Sequence, residues 1–252
     1  MSKRPEGDNA ADRREFLKLV SVAGAASALP FAGDASGAGK ATASAHAMHD
    51  HKSTSASLSP SRDGYEFFNT SESAFIEAAV DTLIPADAVG PGALELGVAT
   101  YIDRQMAGSY GKGDRLYLVG PFGEGSPQQG YQLAMTPSEL IRIGIADVNG
   151  HTQRKFNKTF EALSNSDRTA VITELDDRKV DLPNVPTATF FGLLLQLTIE
   201  GYFADPMYGG NKNKASWKMI GFPGASAMYM DKIEPFRNRP YTAEPLGIQD
   251  LA

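Results

Sequence analysis

Three of the chain's four histidines fall within His46-Ala47-Met48-His49-Asp50-His51. Imidazoles this close together can ligate copper, nickel or zinc. Were the chain cut after Ala43, His46 would stand third from the new N-terminus, a spacing that suits square-planar Cu(II). The segment around them is small and polar, with nothing to orient the rings, so adventitious binding or none is the expected behaviour. The remaining histidine, His151, stands beside Gly150 and Thr152 within a helical pattern. A lone helical histidine is more often a hydrogen-bonded or exposed residue than a catalyst. Asp81, Asp87, Glu95 and Asp103 could pair for acid–base work or for Ca²⁺, but their spacing lacks the oxygen-rich loop that calcium needs. They are expected to be solvent-facing charges of two neighbouring helices. No residue is therefore assigned a catalytic, cofactor-binding or metal-binding role.

What is missing narrows the chemistry further. The 252 residues contain no cysteine, which excludes disulfides, a thiolate nucleophile, Cys-ligated iron–sulfur clusters and c-type haem attachment. No G-x-S-x-G, P-loop, H-E-x-x-H or dinucleotide-binding fingerprint is present. Gly120-Pro121-Phe122-Gly123-Glu124-Gly125 is rich in glycine but follows no strand. The net charge of −6 argues against a nucleic-acid partner.

The N-terminus carries an address. Arg13, Arg14, Phe16, Leu17 and Lys18 place paired arginines before an apolar pair and a lysine. The stretch Leu19 to Leu29 that follows is weakly apolar, rich in Ala, Gly and Ser, and too short to anchor in a bilayer. This is the pattern of a twin-arginine export signal, read by the translocase that carries folded cargo. Ala41-Thr42-Ala43 and Ala43-Ser44-Ala45 both suit a processing peptidase. Cutting after Ala45 removes six Lys/Arg and five Asp/Glu and leaves a mature net charge of −7. Residues 1–45 are thus expected to be the signal, 46–68 a flexible Ala/Ser/His-rich tether, and 69–252 a single helical domain with an irregular C-terminal tail.

The body's periodicity predicts a mainly α fold with long Gly/Pro-rich loops and little or no strand. Asn69-Thr70-Ser71-Glu72 opens a helix as a capping box, and Pro85 stops it. A second helix is expected to bring Leu94, Val98, Tyr101, Ile102 and Met106 onto one face. Residues 108–135 lose periodicity, and a loop that long is usually functional or stabilised by a partner. Thr136-Pro137-Ser138-Glu139 starts a long helix predicted to carry Phe156, Phe160 and Leu163. Ser164 caps another. Thr187 opens the most apolar helix, expected to be central and buried. The densest run of aromatics and glycines follows it. Its Tyr202, Asp205, Met207, Tyr208, Trp217 and Phe222 form a candidate partner interface, or a compact loop folded over the helix end.

Two blocks resemble the gluconate 2-dehydrogenase subunit 3 family. The first is Leu83-Ile84-Pro85 with Asp87, Gly90-Pro91-Gly92-Ala93, Gly97-Val98 and Tyr101-Ile102-Asp103. The second is Glu200-Gly201-Tyr202-Phe203-Ala204-Asp205-Pro206-Met207-Tyr208-Gly209-Gly210-Asn211 with Trp217 and Gly221-Phe222-Pro223-Gly224. The resemblance implies a non-catalytic small subunit of an FAD-dependent sugar dehydrogenase complex in the periplasm, held at the inner membrane through its partners. FAD would reside in a large subunit of the glucose-methanol-choline type, and haem c in a multihaem cytochrome subunit. The small subunit would carry the export signal for the flavin subunit and stabilise it. The rival expectations are a free-standing envelope protein, either a hydrolase-like enzyme or a metal binder using His46–His51.

Overall fold

The computed structural model describes residues 64–251 apart from 124, 127, 128, 130 and 227. Five longer helices make the body: α1 (Thr70–Leu83), α2 (Val98–Ala107), α3 (Pro137–Phe156), α4 (Asn165–Asp176) and α5 (Thr187–Phe203). Two short ones follow, α6 (Ala215–Ile220) and α7 (Met230–Ile233). Among the described residues there is no sheet, only an isolated parallel bridge between Gly224 and Leu246. The fold is mainly α, as the periodicity predicts.

Local chemistry sets the helix starts. At α1 the Asn69 carboxamide accepts the backbone N–H groups of Ser71 and Glu72, each at 3.0 Å, while Glu72 reaches back to the Asn69 N–H at 3.0 Å. Thr136 and Glu139 form the same reciprocal box at α3, with Pro137 at the first helical position. Those bonds draw the Glu139 carboxyl below its ordinary range, the Thr136 N–H first and its hydroxyl second. Ser164 caps α4 through the Asp167 N–H. Each such cap satisfies N–H groups that the helix itself cannot, and is worth about 1 kcal/mol.

Helix α5 packs against α1, α2, α3, α4 and α6. Its Phe190, Leu194 and Leu197 are fully buried with Phe75, Ile76 and Val80 of α1, Ile102 and Met106 of α2, Leu140 and Ile141 of α3, and Leu175 of α4. Burying a side chain of this size stabilises by about 1.5–3 kcal/mol before chain entropy is counted. One side of α5 nevertheless faces outward, a departure from the expectation of a wholly buried helix.

Three other expectations are corrected. Helix α3 ends at Asn157, which turns left-handed (φ 54°, ψ 35°), so Phe160 and Leu163 lie beyond it around a single 3₁₀ turn. Leu94 precedes α2 and is exposed, and Ala93 and Leu96 are buried instead. Residues 65–68, expected in the tether, belong to the body. Phe68 is buried, and the guanidinium of Arg142 lies 4.1 Å from the centre of the Phe67 ring.

Candidate functional site

Asp103 differs most from its sequence expectation. It is 1% exposed, and its carboxylate accepts three successive backbone N–H groups, from Glu66 at 2.7 Å, Phe67 at 2.9 Å and Phe68 at 2.9 Å. A buried carboxylate needs such donors, and three amides converging on it serve that need. The strap they hold is fastened again by Tyr65, whose hydroxyl donates to Glu77 at 2.6 Å, and by Arg142, which donates to the Phe67 carbonyl at 3.0 Å and pairs with Glu72 at 2.8 Å. Asp103 therefore performs anchoring rather than solvation. It shares a helix face with Ala99, four residues before it, and Met106, three after, both buried. Asp81 is half-buried, and Asp87 and Glu95 are exposed. Asp87 closes its own loop by accepting the N–H groups of Val89 at 2.7 Å and Gly90 at 3.1 Å.

The two motif blocks, about a hundred residues apart, meet. Tyr202 donates to the Pro91 carbonyl at 2.9 Å, and the Lys212 N–H donates to the Leu96 carbonyl at 3.1 Å. At Gly201 the chain comes so close to α2 that a Cβ would sit 2.7 Å from the Tyr101 ring, and one on Gly210 would sit 2.0 Å from the Gly201 carbonyl oxygen. Only glycine permits that approach.

Most of the closing motif's polar groups complete the C-terminal end of α5, where the last carbonyls have no partner within the helix. Trp217 donates its indole N–H to the Phe203 carbonyl at 2.8 Å. Asn211, fully buried and left-handed (φ 46°), donates to the Ala204 carbonyl at 2.9 Å and accepts from the Ser216 N–H at 3.0 Å and hydroxyl at 2.7 Å. Asp205 accepts from the Met207 N–H at 3.1 Å and, across the tail, from the Ile248 N–H at 2.7 Å. Lys214 pairs with Asp250 nearby.

Of the six candidate interface residues, Tyr202 and Trp217 are therefore interior, and Asp205 and Met207 are half-buried. Only Tyr208 and Phe222 stand exposed. The structure does not gather all six into one outward patch. What it exposes instead is a face of α5. Ile199 is 46% and Phe203 39% exposed, with Leu195 half-buried one turn before and Tyr208 46% exposed beyond the helix end. Glu200 lies on the edge of this face, where it accepts from Tyr101 at 3.3 Å and from Gln196 at 2.7 Å. Burial, then the Glu200 charge, pushes the Tyr101 phenol up to about 12.

Within residues 108–135, Tyr131, Leu133 and Met135 pack on the core, and the Tyr131 hydroxyl donates to the Met135 carbonyl at 2.7 Å. Tyr117, Val119 and Phe122 are exposed on an open cleft. His151 lies 3.5 Å from Glu174, a carboxylate drawn below its usual range first by its hydrogen bond from Lys155. Among the described residues no group of three or more His, Asp or Glu could hold a metal ion, and no helix is long and apolar enough to cross a membrane. The signal residues Arg13, Arg14, Phe16, Leu17 and Lys18 and the His46–His51 cluster lie outside the described residues.

These features define an all-α protein whose most specific sequence blocks join one helix end to another. The chain belongs to the gluconate 2-dehydrogenase subunit 3 family, whose model matches residues 70–224, more than half its length. The family name is that of an accessory subunit in a multi-subunit dehydrogenase. No curated protein and no solved structure matches the chain.

Proposed function

We propose that this chain is the non-catalytic small subunit of a periplasmic FAD-dependent gluconate or sugar dehydrogenase complex, required for export and stability of the flavin-bearing large subunit. The observation that carries the reading is the use to which the motif is put. Tyr202, Asp205, Asn211 and Trp217 are committed to backbone partners inside the body. Side chains held in this way build a rigid surface, which is what an accessory subunit offers. Family membership supplies the kind of complex.

In this reading the large subunit, of the glucose-methanol-choline type, carries FAD and the substrate pocket, and a multihaem cytochrome c subunit receives the electrons. The Arg13-Arg14 pair addresses the assembly to the twin-arginine translocase. Having bound its cofactor in the cytoplasm, the flavin subunit would cross already folded. The complex would then sit at the inner membrane through its partners.

The test is co-expression with a flavin-bearing dehydrogenase subunit from the same genome. Replacing Arg13-Arg14 by Lys-Lys is expected to strand both proteins in the cytoplasm. Undiminished flavoprotein in the periplasm would refute the escort role.

A further inference from the structure

Helix α5 is apolar on almost every side in sequence, yet the body covers only part of it. Buried residues Phe190, Leu194, Leu197 and Gly201 mark the inner side. The outer side presents Ala188, Gly192, Leu195, Ile199 and Phe203, spaced three or four residues apart so that they share one stripe. Tyr208 extends the stripe past the helix end. Tyr110 lies near enough to Glu200 to feel its charge. Exposed apolar and aromatic surface of this kind on the helix at the centre of the packing is the composition of an interface core.

One charge stands at its edge. Glu200 is exposed and takes hydrogen bonds from Tyr101 and Gln196, but it forms no ion pair with any lysine or arginine among the described residues. Its two hydrogen bonds hold the carboxylate in a fixed place beside Ile199 and Phe203. Covering this stripe with an apolar surface alone would desolvate a carboxylate that has no cation beside it, which is unfavourable. A covering surface that supplies a cation there offsets that cost most directly.

We propose that the outer stripe of α5, centred on Ile199 with Glu200 at its edge, is the docking face for the dehydrogenase's large subunit, which meets it with an apolar patch carrying an arginine or lysine opposite Glu200. This rests on the reading of the chain as a dehydrogenase subunit and adds to it the surface and its chemistry. A guanidinium suits the site best, because it pairs in the plane of a carboxylate and stacks on aromatic rings such as Tyr208 or Phe203.

The experiment uses the full chain co-expressed with a tagged flavin-bearing subunit, with flavin absorbance following the complex through size exclusion. Ile199→Arg and Glu200→Gln are compared with wild type and with Lys158→Glu, an exposed position following α3. Circular dichroism and thermal unfolding establish that each variant folds. Ile199→Arg is expected to weaken co-elution by about a hundredfold, and Glu200→Gln by about tenfold, with Lys158→Glu unchanged. Folded Ile199→Arg that co-elutes as wild type does would overturn the face while leaving the subunit reading intact. Glu200→Gln binding as tightly as wild type would overturn the partner's cation. A wild-type chain that brings no flavin subunit would overturn the subunit reading and this face with it. A wild-type dimer that Ile199→Arg splits, with flavin binding retained, would show that the stripe serves a second copy of this chain and not the large subunit.

Discussion

Trp217 hands its indole N–H to the carbonyl of Phe203, the last residue of the central helix, across 2.8 Å. The two sit fourteen residues apart, and the chain between them must double back through Asn211 and Gly210 to bring them together. The bond removes one orphan carbonyl from the helix end, and the buried ring fills the space beneath it. Trp217→Phe keeps most of the ring and deletes the donor. It should lower stability by about 1–3 kcal/mol, the range for leaving a buried acceptor unsatisfied. Urea unfolding measures this, and an unchanged midpoint would mean that water replaces the indole.

The anchoring of the strap by Asp103 predicts a graded series. Asp103→Asn retains one acceptor oxygen and presents an N–H₂ to amides that are themselves donors. Asp103→Ala leaves three amides without their acceptor. Losses of roughly 2 and roughly 4 kcal/mol are expected, in that order. Hydrogen exchange at the Glu66, Phe67 and Phe68 amides should rise in both variants, before exchange in α5 changes. Equal protection at those three amides in wild type and variant would contradict the anchor.

Two glycines, Gly192 within α5 and Gly210 in the loop beyond it, should respond in opposite ways. A Cβ on Gly210 would meet the Gly201 carbonyl oxygen at 2.0 Å, so Gly210→Ala must push backbone against backbone. A loss of roughly 2–4 kcal/mol is expected. A Cβ on Gly192 meets nothing within 4 Å, so Gly192→Ala should gain about 0.5–1 kcal/mol from helix propensity. Thermal unfolding of the pair settles both signs.

Alkaline titration reads the tyrosines. Burial raises Tyr101 and Tyr131 to about 12 from 10.0, and raises Tyr65 well above the ordinary phenol range. A raised folded pKa means that the native state holds the phenolic proton more tightly than the unfolded chain does. The stabilisation is complete below pH 10 and is lost as the pH climbs through 12. Tyrosinate absorbance should therefore develop late for these phenols in the native protein and normally in denaturant. Simultaneous ionisation of all nine tyrosines near pH 10 would exclude the burial described.

What the sequence discloses depends on how far apart the partners lie. The boxes at Asn69–Glu72 and Thr136–Glu139 are legible because each closes within four residues, and the central place of α5 follows from Phe190 through Leu197 alone. Asp103 reads as a surface charge because its donors lie some thirty-five residues upstream, in a segment with no periodicity to flag it. Asn157 ends α3 in a left-handed turn, while Phe156, Phe160 and Leu163 carry helical spacing straight past it, so the periodicity alone extends the helix too far. Trp217 and Tyr202 looked like surface anchors because large aromatics with one polar atom suit both an interface and a helix end. Only the Phe203 and Pro91 carbonyls decide between the two.

The strap on Asp103 also orders events in time. Residues 65–68 leave the ribosome early, yet they rest on a carboxylate in α2 and beneath a guanidinium supplied by residue 142. The first residues of the body to be made thus take their anchor from α2 and their clamp from α3, both of which are made later.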